Sequence, residues 1–234
     1  MLCAVEIGVL GATGPAGTGI AARLASIGHD VVAGSRERAR AEGAVAELQA
    51  RWGDRVATLR GGTNADAAAA ADLVVLATTW QGAVETAHEH RSALSGKVVI
   101  AMANGIEKRG REFRVVLPEH GSLAEAVQAA APDARVVSAF HLVPASAFAT
   151  LDQELESDVV VCGDDDAART LVLELVSAVP SLRAFDSGSL ANSVGVEAFS
   201  AVLLTVNLRH KGKGTLRLSG VEGYAPRPPM RGAT

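Results

Sequence analysis

Short β-branched runs alternate with Ala-rich stretches of helical character along most of this chain, the pattern required by a parallel sheet with helices packed on its faces. "AVEIGVL", "DVVAGS", "RVATL", "DLVVLAT", "KVVIAMA" and "RVVSAF" read as six strands in order. Between them the sequence predicts helices over 15–27, closed by Gly28, over 37–51 and over 65–71, with another before "KVVIAMA". The reading is an α/β fold, a Rossmann-type doubly wound parallel sheet occupying residues 1–150. After Thr150, "SDVVVCG", an acidic "DDD", a helix through "AARTLVLELVSAV", "LRAFD" and a last helix read as a small C-terminal α/β unit over 151–218. Asp164, Asp165 and Asp166 fall where carboxylates cap a helix and meet its positive end. The Pro- and Gly-rich stretch 219–234 reads as a disordered tail.

Several classes of function are excluded early. With 234 residues, 48% of them hydrophobic and 21% charged, the chain has enough apolar material for a sizeable core. A formal net charge of -4 offers no broad basic face, so no nucleic acid partner is expected. Two cysteines, Cys3 and Cys162, are too few for a disulfide framework or a thiolate metal site, and the six histidines lack ligand spacing. No metal is expected, and a reducing cytoplasm suits the thiols. The N-terminal segment lacks the charged start of a signal peptide and no run of about twenty apolar residues predicts a membrane span. The last helix, "SLANSVGVEAFSAVLLTVNLRH", is apolar around much of its circumference, so it is either a core helix or one buried against a second subunit of a homodimer.

"GVLGATGPAG" places glycines at 8, 11, 14 and 17, directly between the first strand and the first helix. A strand that turns sharply into a helix presents free N–H groups at the positive end of the helix dipole, where a pyrophosphate binds. In the dinucleotide fingerprint G-x-G-x-x-G, the three glycine places are held here by Ala12, Gly14 and Gly17, leaving Gly11 to make the turn. At the end of the second strand an NAD-selective site would carry a carboxylate on the ribose 2′-hydroxyl, whereas this chain has Ser35 and Arg36. A hydroxyl and a guanidinium bind a 2′-phosphate, which favours NADP. Arg40, one helical turn later, either faces the same phosphate or is a solvated surface arginine.

Residues just beyond the strand ends are the ones that meet a ligand in such sheets. They are "TTW" at 78–80, "MANG" at 102–105 and "FHLVPA" at 140–145. Trp80 either walls a ring-binding pocket or closes the core. Asn104 either hydrogen-bonds a ring carboxamide or carbonyl, or makes an Asn-Gly turn. His141 is the one candidate catalytic side chain, donating to a cofactor ring or neutralising developing charge, with a structural histidine as its alternative. The single tyrosine, Tyr224, has no lysine four residues on, so the Tyr-x-x-x-Lys proton relay of short-chain dehydrogenases is absent. An NADP site without an evident acid or base points to hydride exchange with a second redox cofactor, the protein aligning the two.

"GATGPAGTGIAARLASIGHDVVAGSR", "VVSAFHLVPASAF", "VVVCGDDD", "SLANSVGVEAF" and "TVNLRHKGKGTLRL" together resemble the NADP oxidoreductases that depend on coenzyme F420, a deazaflavin. The resemblance runs from about Ile7 to Leu218. It implies NADP on Thr13, Gly14, Pro15 and Ala16, with Gly11 and Gly17 of the glycine pattern allowing the close approach, a 2′-phosphate read by Ser35, Arg36 and Arg40, and Trp80, His141, Pro144 and Leu216 around the nicotinamide and deazaflavin. The implied reaction is hydride transfer between NADP(H) and F420. Ala12 and "MANGIEK" depart from the family's usual residues. Two alternatives stay open on the sequence: a non-catalytic NADP-sensing regulator, and an NADPH-linked flavin or ferric reductase.

Overall fold

In the computed structural model, which describes residues 4–70 and 72–225, the first apolar run is β1 (Glu6–Leu10), and its last four residues are buried. A strand covered on both faces has to be apolar at consecutive positions, so "IGVL" shows no alternation. The glycine segment leads into α1 (Pro15–Ser26), followed by β2 (Asp30–Ser35), α2 (Arg38–Trp52), β3 (Leu59–Thr63), α3 (Asn64–Ala68), β4 (Leu73–Leu76), α4 (Trp80–Glu89), α5 (Arg91–Leu94) and β5 (Val98–Ala101). A hairpin, β6 (Ile106–Arg109) and β7 (Glu112–Val115), precedes α6 (Leu123–Ala130), β8 (Arg135–Ser138) and α7 (Ala145–Phe148). The chain continues through β9 (Ser157–Gly163), α8 (Asp166–Ala178), β10 (Leu182–Asp186) and α9 (Ser193–His210).

Eight strands form one sheet in the order β10-β9-β8-β5-β4-β1-β2-β3. Every neighbouring pair is parallel except β8 with β9. The chain winds outward from β1 to β3, then restarts beside β1 with β4 and winds the other way. The switch point therefore lies between the carboxyl ends of β1 and β4, where open α/β sheets bind ligands. One apolar layer, with Ile20, Leu24 and Val172, covers one side; a second, with Ala67, Ala87 and Val127, covers the other. This is the doubly wound Rossmann-type architecture read from the alternation. Residues after 150 extend the same sheet, β9 pairing antiparallel with β8 and β10 parallel with β9.

Three details differ from the sequence reading. "RVATL" is not a strand: residues 53–56 form a 3-10 turn that buries Val56, and the strand follows as "LRGGT". Its glycines disguise it, yet they are required, because a Cβ on Gly61 would stand 2.7 Å from the backbone of Glu42 in α2. The hairpin and α6 went unread in a stretch where polar residues and short elements blur the periodicity. Residues 219–225, read as part of a disordered tail, lie along β10. There the Tyr224 N–H donates to the Ala184 carbonyl at 2.7 Å. Residues 226–234 and Cys3 lie outside the described residues, while Cys162 is a buried free thiol.

Two polar contacts at long sequence range hold the elements that frame the site. Arg23 of α1, 5% exposed, donates to the carbonyls of Ala147 at 3.1 Å and Thr150 at 2.8 Å, pinning the segment around α7. The buried Asp158 carboxylate of β9 accepts from both Arg183 nitrogens at 2.8 and 2.6 Å, from Arg217 at 3.2 Å and from the Leu218 N–H at 2.5 Å. That network ties the segment after α9 onto the sheet edge. Asp165 caps α8 by accepting from the Ala168 N–H at 2.7 Å, as its place in the acidic run predicts.

Candidate active site

At the end of β1, Gly11 adopts φ +79°, and a Cβ there would meet Thr78 at 2.8 Å. A Cβ on Gly17 would meet the Gly11 carbonyl at 2.4 Å. Only glycine fits either place, so loop and helix approach closely. Ala12, which stands in a glycine place of the fingerprint, is buried in the core and its N–H donates to Gly34 O at 2.8 Å. Its methyl points away from the loop's outer edge, and the cradle is unobstructed. α1 starts at Pro15 with no side-chain cap and no acidic residue in its first turn. Its free N–H groups and positive dipole end suit an anion.

The loop opens onto a groove of about 460 Å³ lined by Gly11, Thr13, Gly14, Ser35, Arg36, Arg40, Asn64, Thr78 and Thr79, with Glu85 and Glu89 of α4 on the far wall. Three arginines crowd this end, and the structure sorts them. Arg38 is held by Asp66 at 2.8 Å, whereas Arg36 and Arg40 line the groove with no ion pair among the described residues. Two uncommitted guanidinium groups beside a serine hydroxyl and a bare helix N-terminus fit the 2′-phosphate and pyrophosphate of NADP.

Thr78 and Thr79 also line a second cavity, of about 470 Å³, on the other side of the switch point. Ala16, Trp80, Met102, Asn104, Phe140, His141 and Pro144 form one wall, and Ser200, Leu203, Leu204 and Lys213, from α9 and the segment after it, form another. Trp80 stands at the first position of α4, where it lines the cavity and also packs on the second core layer. Asn104 is not spent on a turn: its amide donates to the His141 carbonyl at 2.9 Å. Phe140, just before His141, holds φ 68° and packs edge-on against Phe148, 5.6 Å between ring centres. A non-glycine residue in that region is strained by about 1–3 kcal/mol, which the buried aromatic pair offsets.

Polar atoms without partners collect on this wall: Thr78 Oγ1, Asn104 Oδ1 and both ring nitrogens of His141 make no hydrogen bond. Buried polar groups are almost always satisfied, so these atoms are open to partners from a bound molecule or from water. Burial pushes the His141 imidazole down to about 4, the nearby Ala103 backbone opposing it. Its Nε2 lies 4.0 Å from Glu197 Oε1, and the buried Glu197 carboxylate accepts from the Leu123 and Ala124 N–H groups at 2.8 and 3.1 Å. Desolvation pushes Glu197 up, and these N–H groups resist it. His141 is thus a neutral imidazole offering one N–H and one lone pair.

The low imidazole pKa has a consequence for stability. Between the ordinary value of 6.5 and about 4, the unfolded chain binds a proton that folded His141 refuses. Its contribution is present above pH 6.5 and is lost as the pH falls towards 4, by up to roughly 3 kcal/mol. Glu197 acts in the opposite sense at the acid end, so the informative quantity is a difference. Denaturant unfolding of His141→Gln should show a flatter decline below pH 6.5 than the parent; parallel curves would contradict a neutral buried imidazole.

Of the residues singled out in the sequence, Gly11, Thr13, Gly14, Ser35, Arg36 and Arg40 come together in the groove, and Ala16, Trp80, Asn104, His141 and Pro144 in the cavity. Pro15 and Gly17 shape the loop between them. Leu216 lies outside both; its carbonyl accepts from the Asp158 N–H at 2.9 Å. Asn64, Glu197, Ser200 and the α9 leucines were not singled out; the all-round apolar character of α9 hinted only at the last three.

A family model described as NADP oxidoreductase, coenzyme F420-dependent, matches residues 6–105. The F420-dependent NADP reductase of Methanocaldococcus jannaschii is 32% identical over 223 residues, covering 93% of this chain and 100% of its own length. The chain belongs to the F420-dependent NADP reductases. Another such reductase, from Methanothermobacter thermautotrophicus, is 31% identical over 211 residues, covering 88% of this chain and 91% of that one. The crystal structure of a protein from Arthrobacter sp. FB24 superposes with a TM-score of 0.72 at 29% identity, covering 88% of this chain and 93% of that chain. As an F420-dependent NADP reductase, the chain has to seat two cofactors, and Thr78 and Thr79 line both the groove and the cavity.

Proposed function

We propose that this chain exchanges a hydride between NADP(H) and coenzyme F420, with the NADP phosphates in the groove and the two reacting rings in the cavity. The observation that carries the reading is that Thr78 and Thr79 line both spaces. A dinucleotide with its phosphates on the N-terminus of α1 would pass Thr78 and Thr79 and place its far ring beside Trp80, Asn104 and His141. When bound, the nicotinamide exchanges hydride at C4 with the deazaflavin at C5, one proton accompanying reduction of the deazaflavin. The chain's own residues orient the rings: Trp80 and Pro144 wall them, and Thr78, Asn104 and neutral His141 supply the hydrogen bonds that their buried atoms lack. Apolar Leu203 and Leu204 exclude water, and alignment rather than acid–base chemistry lowers the barrier.

Anaerobic mixing of the purified protein with NADPH and F420 tests this, and deazaflavin absorbance should fall with turnover. A non-catalytic NADP sensor would bind NADPH and leave the absorbance flat; a flavin or ferric reductase would turn over FMN or iron instead.

The reading includes a homodimer in the cytoplasm. Leu190–His210 is long and apolar enough to cross a membrane by length and composition, but Ser193, Glu197 and Ser200 on one side of α9 are buried against the rest of the chain. The exposed side carries Gly195, Phe199, Val202, Val206 and Arg209, a 4-3-4-3 spacing. Phe199, Val202 and Val206 are 42%, 54% and 46% exposed. Such a seam fits another helix rather than a sheet or lipid, and a second copy of α9 across a two-fold axis supplies one. Light scattering should report a dimer for the parent and a monomer for Val202→Glu. A monomeric parent, or a variant that stays dimeric, would contradict the seam.

A further inference from the structure

We infer that Asn64 is a specificity-determining residue for the adenosine end of the cofactor, its carboxamide oxygen fixing the Gly11 turn and its NH2 reading the phosphorylated ribose. The inference rests on the placement of the NADP phosphates proposed above.

Asn64 follows Thr63, the register partner of Ser35 across β2 and β3, so it stands one residue past the 2′-phosphate end of the groove. It is the first residue of α3, and the capping of that helix is done by others: Thr63 and Asp66 bond each other reciprocally. The side chain of Asn64 is therefore free for another task. α3 lies directly on the strands beneath it. A Cβ on Gly8 would stand 1.7 Å from the Ala67 carbonyl oxygen, and one on Gly34 would stand 2.8 Å from the Ala67 side chain and 3.1 Å from Asn64 Oδ1. Two glycines in adjacent strands thus let α3 sink far enough to bring Asn64 to the floor of the groove, 9% exposed.

There its orientation is decided chemically. The Gly11 N–H is a donor, and the Asn64 atom facing it at 3.2 Å has to be the carbonyl oxygen. The NH2 group then occupies the other end of the carboxamide and meets no acceptor among the described residues. In a groove that holds Ser35, Arg36 and Arg40, a neutral donor completes a set built for an acceptor-rich anion. Aspartate has the same shape and would keep the Gly11 bond. Its second oxygen would instead repel a phosphate and accept from a bare ribose hydroxyl, the chemistry that marks NAD sites. One atom therefore separates an NADP-reading residue from an NAD-reading one.

Calorimetric titration of NADP+ and NAD+ into the parent, Asn64→Asp, Asn64→Ala and Arg36→Asp tests this without any deazaflavin. Asn64→Asp should melt near the parent, weaken NADP+ by about tenfold or more and leave NAD+ within about threefold, a loss of selectivity rather than of binding. Asn64→Ala should weaken both cofactors and NADP+ the more, and it decides the matter by the same ratio if Asn64→Asp does not fold. The inference is overturned if Arg36→Asp collapses the NADP+ to NAD+ preference while neither Asn64 variant moves it. If Arg36→Asp leaves the preference intact as well, the phosphate placement itself has failed. Equal weakening of both cofactors would reduce Asn64 to a support for the Gly11 turn and sink the reading of the ribose.

Discussion

Arg36→Asp should lose NADP by about two orders of magnitude, because a charge-assisted bond of about 1.5–3 kcal/mol is removed and a repulsion of the same sign is added. NAD should bind the variant about as well as the parent. Arg38 is committed to Asp66, so Arg36 and Arg40 are the guanidinium groups left facing the groove. Arg40→Ala should therefore give a smaller loss in the same direction, and Arg38→Ala almost none. Fluorescence titration of the reduced cofactors reads all three. A parallel loss of NAD and NADP in Arg36→Asp would mean that the arginine holds the loop rather than the phosphate.

The largest effect on stability is expected at Asp158. Its carboxylate is fully buried and collects Arg183, Arg217 and the Leu218 N–H. Asp158→Ala leaves the Leu218 N–H without its acceptor and releases the part-exposed Arg183 and Arg217 to solvent, and it should cost about 2 kcal/mol. For a chain of this length that lowers the melting temperature by roughly 4–8 °C. The same change frees the segment carrying Lys213 and Gly214, which wall the cavity, so KM for the deazaflavin should rise while NADP affinity is kept. Asp158→Asn, which retains an acceptor for Leu218, should fall between. A melting temperature within about a degree of the parent would show that the sheet edge holds the segment without this network.

What was legible in the sequence was what is local in the chain. The strand, the glycine turn and the helix at residues 6–26 are contiguous, and Gly11 and Gly17 of the turn answer to contacts on the neighbouring strand end or within the loop itself. Ser35 and Arg36 were readable for the same reason, since the end of β2 is a fixed place in the architecture. The "LRGGT" strand was misread because its glycines serve the close packing of α2, a tertiary demand that overrides strand propensity. Glu197 meets the start of α6 across 73 and 74 residues, and Arg23 meets the segment around α7 across more than a hundred, so no spacing rule reaches them. Asn64 was hidden in a different way. Its neighbours Thr63 and Asp66 make an ordinary capping box, and only the depth to which Gly8 and Gly34 admit α3 shows that its carboxamide reaches the groove. The all-round apolar character of α9 was visible, and its two faces were separated only when Ser193, Glu197 and Ser200 were seen to be buried and Phe199, Val202 and Val206 exposed.

Direct hydride exchange between two rings held in one cavity is tested most directly with deuterium. NADPH carrying deuterium in turn at each of the two hydrogens of the nicotinamide C4 would be mixed with F420 and the protein, and the reduced deazaflavin analysed by mass. The account predicts that one of the two labelled forms passes its deuterium to the deazaflavin without loss, even in ordinary water. Reduced deazaflavin with no deuterium from either form, or no reduction at all while NADPH binding is measurable, would contradict it.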